Sequence, residues 1–362
     1  MSSSETPTDA RSKSKKPANT RFKQQRLPAW QPVMTARTVI PTFFILGVIC
    51  VPLGAVFYTT SQNVKEKIID YTYEDACKNC HDTLNTTGAH EPGYIKCTCN
   101  ITFALDTPFE GDVYMYYGLD NFYQNHRRYV KSRDDNQLRG NEIPLNGLDD
   151  DCSPYKTIGD KQIAPCGAIA NSLFNDTLTL TYEDTTPVPL NNTGIAWKTD
   201  KGAKFRNPPH DPGSLCNATG FKNTVKPPNW PVHVCNLDPN NEDNSGYLNE
   251  DLIVWMRNAA LPNFRKLYRI VNKEGIFTDG LPAGNYTLDI VYNYPVKDFG
   301  GRKKMILSTV SWLGGKNPFL GIAYMAVGVI CVILGIIFFI IHYRIGQSAE
   351  EAANVTPTTN YM

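Results

Sequence analysis

The chain has 362 residues, with 36 Lys and Arg against 35 Asp and Glu. The formal charge of +1 hides an asymmetry, because residues 60–317 carry 27 basic and 31 acidic side chains while residues 1–38 carry eight basic side chains and two acidic ones. The basic tail runs directly into an uncharged apolar stretch, which excludes a nucleic-acid-binding reading for it. Eight of the ten cysteines lie between residues 77 and 235, which excludes a reducing compartment for that region.

Residues 1–38 read as a cytosolic basic tail. Its first twenty residues or so are Ser/Lys/Pro-rich and disordered in composition, and its charges favour an anionic inner leaflet. From Arg21 to Pro32 the composition changes, with Phe22, Leu27 and Trp30 interleaved with Lys23 and Arg26. Two readings stand side by side: an interfacial anchor with an aromatic at headgroup depth, and a docking segment for a partner's cytosolic face.

Val39 to Tyr58 is the first membrane span, with residues 39–60 its bounds as a domain. Twenty uncharged residues at ~1.5 Å each cover the ~30 Å of a bilayer's hydrocarbon. Pro41 and Pro52 are compatible with a kinked membrane helix. The length of the run, its start 38 residues in, and the Tyr58-Thr-Thr-Ser that follows argue against a cleaved signal peptide. Positive charge stays inside, so the N-terminus is cytosolic. A second uncharged span, residues 318–341, returns the chain to a cytosolic tail at 342–362.

Residues 61–317 form the domain outside the cytosol, large enough for one domain or two lobes. Six sequons, at Asn85, Asn100, Asn175, Asn191, Asn217 and Asn285, all lie in it and mark it for glycosylation. Asn354 begins a seventh, in the cytosolic tail and out of reach of the transferase. Cys97 to Leu105 alternates strictly, with Cys97, Cys99, Ile101, Phe103 and Leu105 on one strand face and Asn100 on the other. Val113–Tyr117, Leu178–Tyr182, Tyr286–Tyr294 and Met305–Trp312 are the other strand candidates. Asn249 caps a helix over Leu252–Ala260, and Pro262 starts a second helix running to about Asn272. The expected fold is two transmembrane helices flanking a mainly antiparallel β-sandwich with a smaller irregular, helical lobe.

Cys97 and Cys99 share a strand face, so both reach the Cys77/Cys80 segment if it runs antiparallel. That favours the nested pairs Cys77–Cys99 and Cys80–Cys97, in hairpin register, over a crossed arrangement. Cys152–Cys166 is the local pair, and Cys216–Cys235 remains. The same four N-terminal cysteines have the spacing of a four-thiolate zinc site, which the oxidising side of the membrane disfavours.

Other motifs point to little chemistry. There is no H-E-x-x-H, G-x-S-x-G, phosphate loop or dinucleotide fingerprint. Asp134-Asp135 and Asp149-Asp-Asp151 read as solvated acids. Asn241 to Leu252 has half of a calcium loop in Asn241, Asp243, Ser245 and Gly246, but Leu252 stands where the bidentate Glu belongs, so an Asx-rich turn feeding the cap at Asn249 is the simpler reading. His126 to Arg133 is the densest basic cluster outside, read as a solvated face with Asp134 and Asp135 as local partners. No catalytic, cofactor-binding or metal-binding residue is assigned.

The chain resembles the cell cycle control protein 50 family, the accessory β-subunits of type IV P-type ATPases. The resemblance rests on Phe22–Pro32, Tyr116–Leu119, Asn121–Asp134, Ala164–Asn171, Gly194–Trp197, Ile253–Arg257, Ala259–Pro262, Leu307–Thr309 and Ser311–Tyr324. It implies a non-catalytic subunit that carries a phospholipid flippase out of the endoplasmic reticulum and stays with it at the Golgi, endosomes and plasma membrane. The partner would hydrolyse ATP and move aminophospholipids to the cytosolic leaflet. The alternatives are a stand-alone cell-surface receptor or lectin-like glycoprotein, and an ectoenzyme. Partner contacts are expected at Phe22, Arg26, Leu27 and Trp30. A second set is expected in the spans, where Gly321, Gly328 and Gly335 recur every seven residues, as do Gly47 and Gly54. Each set makes a narrow stripe that drifts only ~20° per step. One stripe would face the sister span, and that of the second span would be available to the ATPase.

Overall fold

The computed structural model describes residues 16–27, 35–86 and 97–353. They divide into a helical unit, residues up to 54 with those from 323 onward, and a sheet unit, residues 55–322.

Two helices are long and apolar enough to cross a membrane: α1, Ala36–Gln62, and a C-terminal helix, Phe319–Ala353. Both run past the bounds read from the sequence, because nothing breaks the helical hydrogen bonding where the apolar run ends. Pro41 and Pro52 lie inside α1. Most of the apolar side chains, such as Val48, Leu53, Ile330 and Phe339, are exposed on the helix surfaces. An integral membrane protein accounts for so much exposed apolar surface on two such helices.

The strands of the two larger sheets of this unit are, in chain order, β1 Glu66–Asp70, β2 Cys97–Leu105, β3 Val113–Asp120, β4 Thr177–Tyr182, β5 Thr186–Pro187, β6 Leu190–Asn191, β7 Phe264–Val271, β8 Gly284–Tyr292 and β9 Arg302–Thr309. One antiparallel sheet has the order β1-β9-β3-β7-β6 and the other β2-β8-β4-β5. Alternation does the work: on β8, Tyr286, Leu288, Ile290 and Tyr292 point inward, while Asn285 and Asp289 are exposed. Met115, Tyr117, Leu119, Met305 and Leu307 supply the inner face of the first sheet, and both faces merge in one continuous core. Residues 121–176 and 192–263, on either side of β4 to β6, add the irregular lobe of short helices, turns and a small three-stranded sheet. In it α3 is Arg127–Lys131 and α4 is Glu250–Met256.

Three elements differ from the sequence reading. Residues 264–271, expected as helix, are strand β7, paired with β3 through a register shift between Leu267 and Arg269. Phe264, Leu267, Tyr268 and Val271 have helical spacing, but β3 offers a full ladder; alternation points Lys266 and Tyr268 inward, and the bulge shifts the phase so that Val271 rather than Ile270 is buried. The helix expected to reach Ala260 ends at Met256, because the Lys266 ammonium takes the carbonyls of Val254, Trp255 and Arg257 at 3.0, 2.6 and 2.6 Å. The last strand begins at Arg302 rather than Met305 and stops at Thr309, since the buried Lys303 belongs to the ladder and Ser311 starts a turn.

Cys77 and Cys80 lie on a helix, α2 at Asp75–Thr86, rather than on one arm of a hairpin. Three residues apart, they share a helix face and meet the inward face of β2. The bonds are Cys77–Cys99, Cys80–Cys97, Cys152–Cys166 and Cys216–Cys235. Thiols consumed in this way leave no four-thiolate zinc site.

Candidate interaction sites

The two long helices meet on glycine. A side chain at Gly328 would stand 2.7 Å from Val51 Cγ2 and 3.0 Å from the Val51 backbone nitrogen. One at Gly47 would stand 2.5 Å from Val332 Cγ2 and 3.0 Å from the Gly328 carbonyl oxygen. A side chain at Gly335 would stand 3.2 Å from the Phe44 ring, and Phe43 meets Phe338 edge to face, with ring centroids 5.4 Å apart. In lipid this close approach is the main source of helix affinity, since hydrocarbon competes equally for apolar surface. Gly328 and Gly335 are therefore turned toward the first span, not left free for a partner as the sequence reading had them. Val332, Val51 and Phe44 complete the seam. The sequence carried no signal for them, because any apolar residue opposite a glycine would look the same.

The core of the sheet unit is organised around a buried ion pair. Lys303 Nζ lies 2.6 Å from Asp176 Oδ2, and both side chains are 0% exposed. The Tyr71 hydroxyl donates to Asp176 Oδ2 at 2.8 Å, and the backbone nitrogens of Asn293 and Tyr294 donate to Oδ1 at 2.6 Å. Lys303 also donates to the Tyr294 carbonyl at 2.8 Å and sits 3.0 Å above the Tyr292 ring centroid. Burial pulls the Lys303 ammonium down to about 8, with Asp176 pulling the other way. His81 Nδ1 meets the Tyr292 hydroxyl at 3.0 Å, and burial lowers the His81 pKa. Desolvating a lysine and a carboxylate is tolerable here because the principal donors and acceptors are matched. The network is a structural keystone. It was not legible beforehand, since its members lie as far apart in sequence as Tyr71 and Lys303.

The other singled-out residues are distributed over the surface. Phe22 is 76% exposed and Leu27 56%, Arg26 is exposed beside them, and Trp30 lies outside the described residues. Asn100, Asn217 and Asn285 are exposed. Asn191 Oδ1 accepts from the Thr193 nitrogen and hydroxyl at 2.9 and 2.8 Å, which folds the sequon on itself. Asn175 is half-buried, and the side chain of Asn85 lies outside the described residues. In the basic cluster Arg133 pairs with Asp135 at 3.0 Å, whereas Asp134 is spent on backbone nitrogens of Asn136, Gln137 and Asp149. Arg127, Arg128 and Lys131 remain on an exposed face of α3.

The calcium-like turn is engaged internally. Asn244 Oδ1 accepts from Glu250 N, Ser245 Oγ donates to the Cys235 carbonyl, and Asn249 Oδ1 accepts from Leu252 N at 3.0 Å as the helix cap. Among the described residues no three His, Cys, Asp or Glu side chains gather as metal ligands would.

Comparison with known proteins places this architecture. Residues 43–348 match the model of the LEM3 (ligand-effect modulator 3) family / CDC50 family. The chain belongs to the CDC50 family. It is 53% identical over 350 residues to cell cycle control protein 50A of Bos taurus, covering 96% of this chain and 94% of that one. Cell cycle control protein 50B of Homo sapiens is 47% identical over 343 residues, covering 92% and 96%. ALA-interacting subunit 3 of Arabidopsis thaliana is 41% identical over 357 residues, covering 96% and 93%. The CDC50-family match takes in most of both long helices and the whole sheet unit.

Proposed function

We propose that this chain is a non-catalytic accessory subunit of a type IV P-type ATPase that moves aminophospholipids to the cytosolic leaflet. It would be needed for the partner's exit from the endoplasmic reticulum, its stability and its activity. The observation that carries this reading is full-length similarity to CDC50-family proteins, one of which is named as an interacting subunit. Two membrane-length helices, one before and one after a disulfide-bonded domain in the sequence, suit a partner that is itself in the membrane.

In this reading both termini are cytosolic, and residues 61–317 face the lumen or the outside. The sequons at Asn85, Asn100, Asn175, Asn191, Asn217 and Asn285 carry glycans there. Arg26 and the exposed Phe22 and Leu27, with Trp30, dock on the cytosolic face of the ATPase. Of the second-span glycines, Gly321 remains a candidate for the partner. The heterodimer would cycle through the Golgi, endosomes and plasma membrane.

Purification in mild detergent followed by mass spectrometry tests the proposal. A stoichiometric ATPase with lipid-stimulated hydrolysis is the expected result. A chain that purifies alone from cells containing such ATPases would favour a stand-alone receptor or lectin-like glycoprotein, and turnover by the isolated domain would favour an ectoenzyme. Replacing Phe22, Leu27 and Trp30 together by Ala should lower ATPase activity more than surface delivery. Wild-type values of both would leave the tail as an interfacial anchor.

A further inference from the structure

Between β9 and the C-terminal helix the chain makes a tied turn. Ser311 and Gly314 exchange backbone hydrogen bonds, each 2.9 Å. Ser311 Oγ donates to the Gly314 carbonyl at 3.0 Å and accepts from Leu313 N at 3.2 Å. Gly314 has φ +109°, which suits glycine and few other residues. The turn holds Trp312 and Leu313 at its tip.

The turn is also pinned to the end of α1. Asn317 N donates to Ser61 Oγ at 2.9 Å, Thr309 N donates to the Lys65 carbonyl at 3.0 Å, and Lys65 N donates to Thr309 Oγ1 at 3.0 Å. From there the indole reaches back along the helix to Phe57, with ring centroids 6.1 Å apart. Phe57 lies in the last turn of the uncharged run, and at ~1.5 Å per residue it is ~6 Å below Ser61. The Trp312 ring is thus level with the place where the apolar run ends.

Despite these ties Trp312 is 73% exposed. Val310, Phe319 and Leu320 are exposed around it, and Lys316 projects four residues on. A rigidly presented, exposed indole is costly in water. It is favoured among glycerol and carbonyl groups, where the ring is sheltered and its N–H finds acceptors.

We propose that the Ser311–Gly314 turn is a membrane-interface wedge. It sets Trp312 into the headgroup and carbonyl layer of the leaflet that faces the sheet unit, and the ligand class is a glycerophospholipid. The inference rests on the two spans and not on the identity of any partner.

The test uses the full chain in nanodiscs of phosphatidylcholine brominated either near the carbonyls or near the acyl-chain ends. Trp30 is the other tryptophan close to a span, so Trp312→Phe should lose about half of the bromine-dependent quenching. Trp30→Phe should keep the share belonging to Trp312. That share should be larger with bromines near the carbonyls. The thermal midpoint of Trp312→Phe, which changes an exposed side chain, should match wild type and shows that the fold is intact. Quenching unchanged in Trp312→Phe would overturn the proposal and leave the indole facing solvent or protein. Stronger quenching of Trp312 by the acyl-end bromines would overturn the assigned depth. Because no ATPase is present, neither outcome bears on the subunit reading.

Discussion

Between the two long helices, contact is made where side chains are missing: Gly47, Gly328 and Gly335 let Val332, Val51 and Phe44 come to the opposite backbone. In the core of the sheet unit the reverse holds, with Lys303, Asp176, Tyr71 and Tyr292 filling the space with polar groups that satisfy one another. The contrast follows from the solvent each region meets. Lipid gives apolar surface nothing to escape from, so shape alone binds the helices. Water rewards burial at ~25 cal/mol per Å², and the surplus from a large core can carry one desolvated ion pair.

The contrast breaks most visibly at Lys303. Lys303→Met leaves Asp176 buried and charged, and should cost ~3–5 kcal/mol. Thermal unfolding of the detergent-purified protein should fall steeply, and little of the variant should leave the endoplasmic reticulum. A change within error would mean that the ion pair is not a keystone. Next comes Gly328→Leu, whose side chain meets the Val51 backbone as well as its side chain. An overpacked seam costs ~1–3 kcal/mol, and it should show as lost cross-linking between cysteines placed on the two helices while the sheet unit melts normally. Val329→Leu is the matched control, since Val329 is exposed. Val332 is no control, because its methyl group fills the space at Gly47.

A smaller effect separates the lobe from both. Asn249→Ala removes the cap of α4 and should cost ~1 kcal/mol, and Asn249→Asp should not restore wild type, because the buried Asn249 Nδ2 also donates to the Asn244 carbonyl at 2.9 Å. The finest distinction is pH. Burial lowers the pKa of His81, with Lys303 and Lys297 adding to the effect and Asp82 opposing it; burial also lowers that of His233. The unfolded chain therefore binds more protons below ~6.5, and stability present above that pH is lost as pH falls through the folded values. The melting temperature of the sheet unit should drop in mildly acidic buffer, less so in His81→Gln, while helix cross-linking stays constant.

Features of short period were legible in the sequence. The two apolar runs, the alternation of Cys97–Leu105 and the cap at Asn249 rest on neighbours within one turn or one pleat, so composition and spacing determined them. Features that depend on a distant partner were not. Residues 264–271 read as helix until β3 supplied a ladder, and Cys77 and Cys80 could meet β2 equally well from a strand or from a helix. Only the tertiary structure decided that Gly328 and Gly335 face the sister helix, that Lys303 reaches Asp176, and that Trp312 stands beside Phe57. A residue's chemistry is written at its own position. Whether that chemistry is buried, paired or exposed depends on segments as much as 295 residues away, and no local periodicity carries that information.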